Sequence, residues 1–457
     1  MSSVSEPEPE DTGQPTGGLL SPAYLATTVA AMALIAIVAF ESLAVTTVMP
    51  TVAKELDGVG LYALAFAAPL ASGVVGMVLA GIWSDRSGPT PPLLAALAAL
   101  SGGLVVCGLA QSMEVLVAGR VLQGLGGGAA SVVLYVVVGL VFPPRLRPAV
   151  FASFAAAWVL PALFGPFLAA TVAHSFGWRW VFLGVVGLIG LALLALLPVL
   201  RTAPKPSGEP GPAPRGRLAW AVAAAVGVLG VELVGALWIT GLSLLLVVAA
   251  LTRLLPARTL LLDHGLPSVI ATRGLMSAGF FCSEAYIVYV LGEKWGVAAT
   301  TAGLSLTLVG IVWASSSQLQ ARLAGRVSHR RAMTVSTSVV LLGLVLLTLS
   351  IALEVPWPLA MASYVLAGAG MGFGFPRTGV SMLELSTDAD RGFNSSALNA
   401  ADSLGAALAL AVTGVAFDAA EGTAIDPFVA VMVVAMIAMT GAVFAAVRTK
   451  PGAPVPR

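Results

Sequence analysis

The sequence predicts an all-α polytopic membrane protein: two six-helix bundles in parallel repeat, joined through an inserted pair of helices, about 14 transmembrane helices in all. Three observations carry that expectation. Of 457 residues 58% are hydrophobic and 10% charged, against roughly 25% charged in an ordinary soluble domain, which excludes a water-soluble enzyme. Apolar windows of about 20 residues, the length that crosses a bilayer, recur from Pro22 to Val447. Landmark residues also recur in register between the two halves.

The first six spans run approximately 22–50, 59–83, 91–110, 113–142, 147–173 and 179–200, forming an N-terminal bundle over 21–200. Residues 201–217 are rich in Pro, Gly and charge, the composition of a solvated linker. Six more spans lie at about 267–291, 299–321, 332–354, 357–376, 393–417 and 427–447, within a second bundle over 259–448. Between them, 218–258 is apolar as far as Leu255, and 218–255 as one helix would be about 57 Å long against a core of about 30 Å. Two crossings turning near Gly235 to Gly241 fit better.

Charge placement tests that count. With an even number of crossings and the N-terminus inside, Lys54, Arg179 and Lys294 fall outside and Arg120 lies in the membrane. Every other Lys and Arg, Arg273 included, then falls on the cytoplasmic side, as the positive-inside bias requires. One crossing would invert the second bundle and destroy the bias. Residues 1–20, carrying Glu6, Glu8, Glu10 and Asp11 and no base, read as a disordered cytoplasmic tail, and 449–457 as a second one. The 23 basic and 22 acidic residues nearly cancel, so no field exists to gather nucleic acid. Cys107 and Cys282 sit in apolar stretches without a CxxC or Cys/His cluster, which supports neither a disulfide framework nor a metal site.

The repeat is visible in single residues. Glu41 stands nine before Pro50 at the end of the first span, and Glu284 nine before Glu293 at the end of its counterpart. Gly81 and Gly325, like Gly124 and Gly368, are 244 positions apart. Parallel six-helix repeats place a substrate site between the halves near the midplane.

Several motifs resemble those of the major facilitator superfamily, in particular its fourteen-helix drug:proton antiporter branch. Gly81-Ile82-Trp83-Ser84-Asp85-Arg86-Ser87-Gly88 is similar to the signature after the second helix, G-x-L-x-D-R-x-G, although Pro89-Thr90 replaces the basic pair expected next. The resemblance makes Gly81, Asp85, Arg86 and Gly88 a cytoplasmic gate between bundles. Arg120-Val121-Leu122-Gln123-Gly124-Leu125-Gly126 resembles the fourth-helix motif R-x-x-Q-G-x-G, which implies proton coupling through the arginine. Around Gly165 and Pro166 the chain resembles the antiporter motif G-P-x-x-G-G, with Ala169-Ala170 in place of its last pair and Pro161 standing where a further glycine would precede it. Gly177-Trp178-Arg179-Trp180 resembles the opening of the sixth helix in that branch. The resemblance implies a proton-coupled exporter of amphipathic compounds in a bacterial cytoplasmic membrane, with both termini inside. It implies no cofactor beyond the proton gradient. Lipid, a small amphipathic substrate and protons are the expected partners.

A charge at the bilayer centre costs at least about 2.5–3.5 kcal/mol, so each needs a reason. Glu41 and Arg120 lie about 13 Å and about 8 Å from the outer ends of their helices at 1.5 Å per residue, close enough in height to pair. That pair reads either as a protonation switch or as a fixed structural contact. Glu284 faces no equivalent cation, because Tyr364 matches Arg120. It is read as a second proton carrier, a site for a cationic substrate, or a carboxyl bonded to a neighbouring helix. Asp402, with Asn399 one turn earlier, is assigned either proton or substrate work or polar helix packing. Glu232, in the inserted pair, reads as peripheral. Phe40, Gln123, Trp158, Phe281, Tyr286, Tyr289 and Trp313 are expected to line the central cavity, together with Phe164 and Phe280, where aromatic faces suit flat or cationic amphiphiles; packing against lipid and neighbouring helices explains such residues equally well.

The glycine strings at 124–128 and 368–374 follow no β-strand and no Walker-type lysine exists, so nucleotide binding is not expected. Gly124 with Gly128, and Gly368 with Gly372, instead present close-packing helix faces. Asn394 or Ser395 is expected to cap a helix start. Two alternatives remain beside multidrug efflux: export of one dedicated metabolite or lipid, or a non-transporting membrane sensor or partner.

Overall fold

The computed structural model describes residues 18–58, 61–202, 216–233, 237–297 and 299–450. The first seventeen residues, most of the 201–217 linker, the 234–236 turn of the inserted pair, the side chain of Glu232 and the end of the second tail lie outside that set. Among the described residues there are helices and no strands.

The N-terminal bundle comprises α1 (Leu25–Glu55), α2 (Tyr62–Ser87), α3 (Thr90–Gly108), α4 (Met113–Val141), α5 (Arg147–Ala157), α6 (Val159–Phe176) and α7 (Arg179–Thr202). The inserted pair is α8 (Arg217–Leu233) and α9 (Leu237–Leu254). The second bundle comprises α10 (Leu266–Trp295), α11 (Ala299–Arg322), α12 (His329–Ala352), α13 (Trp357–Glu384), α14 (Arg391–Ala420) and α15 (Pro427–Val447). Ten of the described helices are long and apolar enough to cross a membrane, or up to 11 with one bent pair counted as a single span. The expected fourteen crossings are not reached on that measure. The inserted helices, at 17 and 18 residues, are about 25–27 Å long against a hydrocarbon core of about 30 Å.

Two further expectations need correction. The predicted fifth span breaks into α5 and α6 at Trp158. Pro161 lacks an N–H to give the carbonyl of Ala157, and its ring crowds that carbonyl, so the hydrogen-bond ladder is interrupted there while Trp158 keeps helical dihedrals and Arg147–Gly165 still forms one apolar span. Nor do Asn394 and Ser395 cap α14. The helix starts at Arg391 behind Asp390, and Asn394 Nδ2 instead donates to Ser386 Oγ at 2.9 Å.

Lipid offers apolar side chains no reason to leave it, so helices associate through close contact and polar bonds. Glycine supplies the contact. A Cβ on Gly128 of α4 would strike the backbone of Gly73 on α2, and one on Gly372 of α13 would strike the backbone of Trp313 on α11. Gly126 and Gly370 repeat the arrangement against α3 and α12. Both bundles therefore clamp their fourth helix between their second and third in the same way. Outward-facing residues such as Phe167, Phe176, Trp238 and Ile437 stay exposed, as a lipid-facing shell requires.

The two bundles meet at the end that carries Asp85. There Gln320 Nε2 on α11 donates to Pro148 O on α5 at 3.2 Å, and Gln318 Nε2 donates to Ala152 O at 3.3 Å. At the opposite end ion pairs stay inside one bundle: Arg179 with Glu55 at 2.9 Å, and Lys294 with Asp426. The molecule is thus tied shut across its seam at the Asp85 end.

A Cβ at Gly126 would lie 2.6 Å from Ala96 O and 2.8 Å from Leu100 Cα, whereas at Gly127 nothing stands within 4 Å. Gly126→Val is therefore expected to lower stability by about 1–3 kcal/mol and Gly127→Val to leave it near wild type, read as thermal unfolding midpoints in detergent.

Candidate functional site

The polar centre of the N-terminal bundle is built on three residues. Arg120 Nη1 donates to Glu41 Oε1 at 3.0 Å and to Gln123 Oε1 at 2.8 Å, while Arg120 Nε donates to Ala65 O of α2 at 3.0 Å. Gln123 Nε2 donates to the same Glu41 oxygen. Arg120 and Gln123 stand one helical turn apart on α4, so both reach across to α1. All three are buried. The cluster joins α1, α2 and α4, and leaves Glu41 with a cation and an amide in place of water. A proton added to Glu41 would remove the negative partner of Arg120 while leaving the amide contact available.

The second bundle carries a related pair without a cation. Tyr364 Oη donates to Glu284 Oε2 at 3.3 Å, where the repeat puts tyrosine opposite the position of arginine. Tyr364 is fully buried and stacks on Phe280 with ring centroids 5.6 Å apart.

Asp402 has a partner that the sequence analysis placed elsewhere. Arg273, assigned above to the cytoplasmic side, is buried in α10, and its Nη2 lies 3.2 Å from Asp402 Oδ2 on α14. Ser277 Oγ donates to the other carboxylate oxygen. Arg273 also donates to Thr378 Oγ1 at 3.1 Å, and to Tyr135 Oη of α4 at 3.2 Å, which crosses between bundles. Its guanidinium carbon lies 3.1 Å from the ring centroid of Phe375. The signal for Arg273 was present: it falls six residues inside the predicted 267–291 span. Tyr135 and Ser277 left no such trace, because a lone hydroxyl residue in an apolar helix is common.

At the seam, Asp85 Oδ1 accepts from Gly392 N at 2.6 Å and Oδ2 accepts from Phe393 N at 2.9 Å. These are unsatisfied donors of the first turn of α14, so the carboxylate sits where helix geometry favours an anion. Gly81 and Gly392 make the approach possible. A Cβ on Gly81 would come 2.7 Å from Gly392 O, and one on Gly392 would press on Asp85 itself. Arg86 is exposed, and Gly88 ends α2 with φ +77°.

The expected cavity aromatics divide. Phe40 stands beside Gly165, whose Cβ would lie 3.6 Å from the Phe40 ring. Pro161 is buried and Trp158 is 44% exposed at the helix break. Tyr286 stacks on Phe417, and Tyr289, 49% exposed, meets Phe417 and Phe428. Phe281 and Trp313 both pack edge-on against Phe280, and Trp313 also against Phe375. Phe280 is fully buried and so cannot line an open cavity. The side chain of Pro166 lies outside the described set. Among the described residues no group of three or more His, Cys, Asp and Glu could hold a metal ion.

Arg120→Ala strands the Glu41 carboxyl without its cation and is expected to cost about 3–5 kcal/mol. Glu41→Gln/Arg120→Ala should recover part of that loss. Thermal unfolding of both variants checks it, and a double variant no more stable than Arg120→Ala would contradict it.

The family model of the Major Facilitator Superfamily matches residues 29–292 and 274–457. Multidrug resistance protein 3 of Bacillus subtilis (strain 168) is 31% identical over 144 residues, 32% of this chain and 28% of that protein. A probable multidrug-efflux transporter of Mycobacterium tuberculosis (strain ATCC 25618 / H37Rv) is 30% identical over 176 residues, 38% of this chain and 37% of that protein. The matched stretches thus span about a third of these relatives' own lengths. Among solved structures, the transporter FucP in its outward conformation aligns with a TM-score of 0.68 at 14% identity, over 94% of this chain and 100% of that one. The fold is shared at that distance, and with the family match over both bundles the chain belongs to the major facilitator superfamily.

Proposed function

We propose that this chain is a proton-coupled exporter of small amphipathic compounds, working by alternating access between its two bundles. The observation that carries the reading is the buried Glu41–Arg120–Gln123 cluster, a titratable carboxyl held by a cation inside an apolar bundle. The efflux names of the bacterial relatives support the export direction.

In this reading Glu41 alternates between a charged form paired with Arg120 and a protonated form that releases it. The exchange changes how α1 and α4 are held together, and the bundles respond by rocking about the seam. Glu284 and Asp402 are the further acids of the coupling path. Glu284 is held by the hydroxyl of Tyr364, whose ring is itself packed on Phe280. The positive-inside bias of the bases other than Lys54, Arg179, Lys294, Arg120 and the buried Arg273 supports both termini and the Asp85 seam on the cytoplasmic side, so in this reading the closed end described above corresponds to an outward-facing state. The inserted pair makes two short crossings, giving fourteen in a bacterial plasma membrane. Protons and amphipathic substrate are the partners, and the gradient is the only energy source.

The test is proton release from everted vesicles with an acidic interior, followed with a pH dye as lipophilic cations, neutral antibiotics and lipids are added in turn. Some compound should discharge the gradient in wild type, and Glu41→Gln should reduce that discharge by at least about a hundredfold if the carboxyl carries the proton. Discharge equal to wild type in Glu41→Gln would overturn the coupling role. Binding of a compound without any discharge would favour a carrier without proton exchange, or a partner that does not transport.

A further inference from the structure

The inserted helices lie on the seam between bundles rather than apart from it. α8 packs along α2, and both α8 and α9 touch α14. Val228 and Val231 of α8 and Val247 of α9 face Ala407 and Leu408 of α14 across a narrow crevice. The hairpin is tight because Gly227 admits α9: a Cβ there would come 2.6 Å from Val247 Cγ2 and 3.0 Å from Ser243 O. The pair therefore covers the line where α2 of one bundle meets α14 of the other.

Arg217, the first residue of α8, stands at the closed end of that line. Its guanidinium carbon lies 3.3 Å from the ring centroid of Phe393, and the Phe393 amide is one of the two that hold Asp85. Arg217 and Asp85 also interact electrostatically. Among the described residues the buried Nε of Arg217 has no hydrogen-bond partner. The loop after Asp85 runs Gly88-Pro89-Thr90 and brings no second base to follow the exposed Arg86.

We propose that Arg217 is a positioning residue of the gate: the inserted helix pair delivers it to the Asp85–α14 contact, where it holds Phe393 in register and supplies Asp85 with a cation from outside its own loop. The proposal rests on the alternating-access reading and adds a task for the inserted pair. α8 is borne by α2, so Arg217 reaches across the seam to a ring of the other bundle. Opening the gate would separate Arg217 from Phe393 at the same moment as Asp85 from its two amides. A planar guanidinium suits the ring face better than an ammonium, while either would serve Asp85.

The experiment reads the gate directly. Cys107→Ala and Cys282→Ala remove the native thiols from the full-length protein. Spin labels at Ser87→Cys and Thr387→Cys, both exposed on opposite sides of the seam, then report its distance distribution by pulsed electron resonance. Arg217→Ala is expected to raise the open-to-closed ratio about threefold to tenfold, the range a partly desolvated cation over a ring supports. Arg217→Lys should restore most of the closed population. Asp85→Asn should open the gate by itself, and adding Arg217→Ala to it should change little further. An unchanged distribution in Arg217→Ala overturns the proposal. So does a shift of the same size in the Asp85→Asn background, which would show Arg217 acting only on the packing of α8. If Arg217→Ala does not fold, Arg217→Gln carries the same comparison. Because the readout is a distance and not transport, its failure leaves the transport reading standing.

Discussion

A charged carboxyl in hydrocarbon must either find a partner or lose its charge, and that constraint organises the interior of this protein. Glu41 resolves it with Arg120 and Gln123, Asp402 with Arg273 and Ser277, and Glu284 with a single tyrosine hydroxyl. Each solution joins different helices: α1 to α4, α10 to α14, α10 to α13. In the apolar remainder, glycine faces let backbones approach and add no directional bond of their own. The ionisable groups thus hold the helices in place and are the groups through which that hold can change.

The same physics separates the two ends of the molecule. At the Asp85 end the polar contacts cross the seam: Asp85 to two amides of α14, Tyr135 to Arg273, the side-chain amides of Gln318 and Gln320 to α5 carbonyls. At the other end Arg179 and Lys294 find their partners within their own bundles. The crossing bonds use main-chain groups to a large degree. Only the two α14 amides are otherwise unsatisfied helix-end groups; the α5 carbonyls accept a second bond, and each crossing contact commits a side chain, Asp85, Arg273, Gln318 or Gln320.

Much of this was legible in the sequence. Length, hydropathy and the 244-residue register gave both bundles and the inserted segment, because lipid enforces long apolar helices and a duplicated unit keeps its landmarks. The meeting of Glu41 with Arg120 was legible from helix rise, which set their depths, together with the resemblance, which turned the first and fourth helices toward one another. Other features depend on the third dimension. The break at Trp158 follows from Pro161, but hydropathy windows are blind to it. The number of crossings blurs where helices of 17 and 18 residues meet a core of about 30 Å. Arg273 was misplaced because a base near a span boundary was assumed to reach for water, whereas a carboxylate on the neighbouring helix offered it a nearer partner.

The interruption at Trp158 divides a single crossing between two allegiances. Below it, α5 leans on α11 and α13 of the opposite bundle, with carbonyls of Pro148 and Ala152 accepting from Gln320 and Gln318. Above it, α6 lies mainly along α1 and α7 of its own bundle. The lower half of the span thus touches both bundles, α1 of its own included, and the upper half mainly its own. Trp158 keeps helical dihedrals, so the part of this span tied to the second bundle and the part tied to the first remain one continuous rod across the membrane.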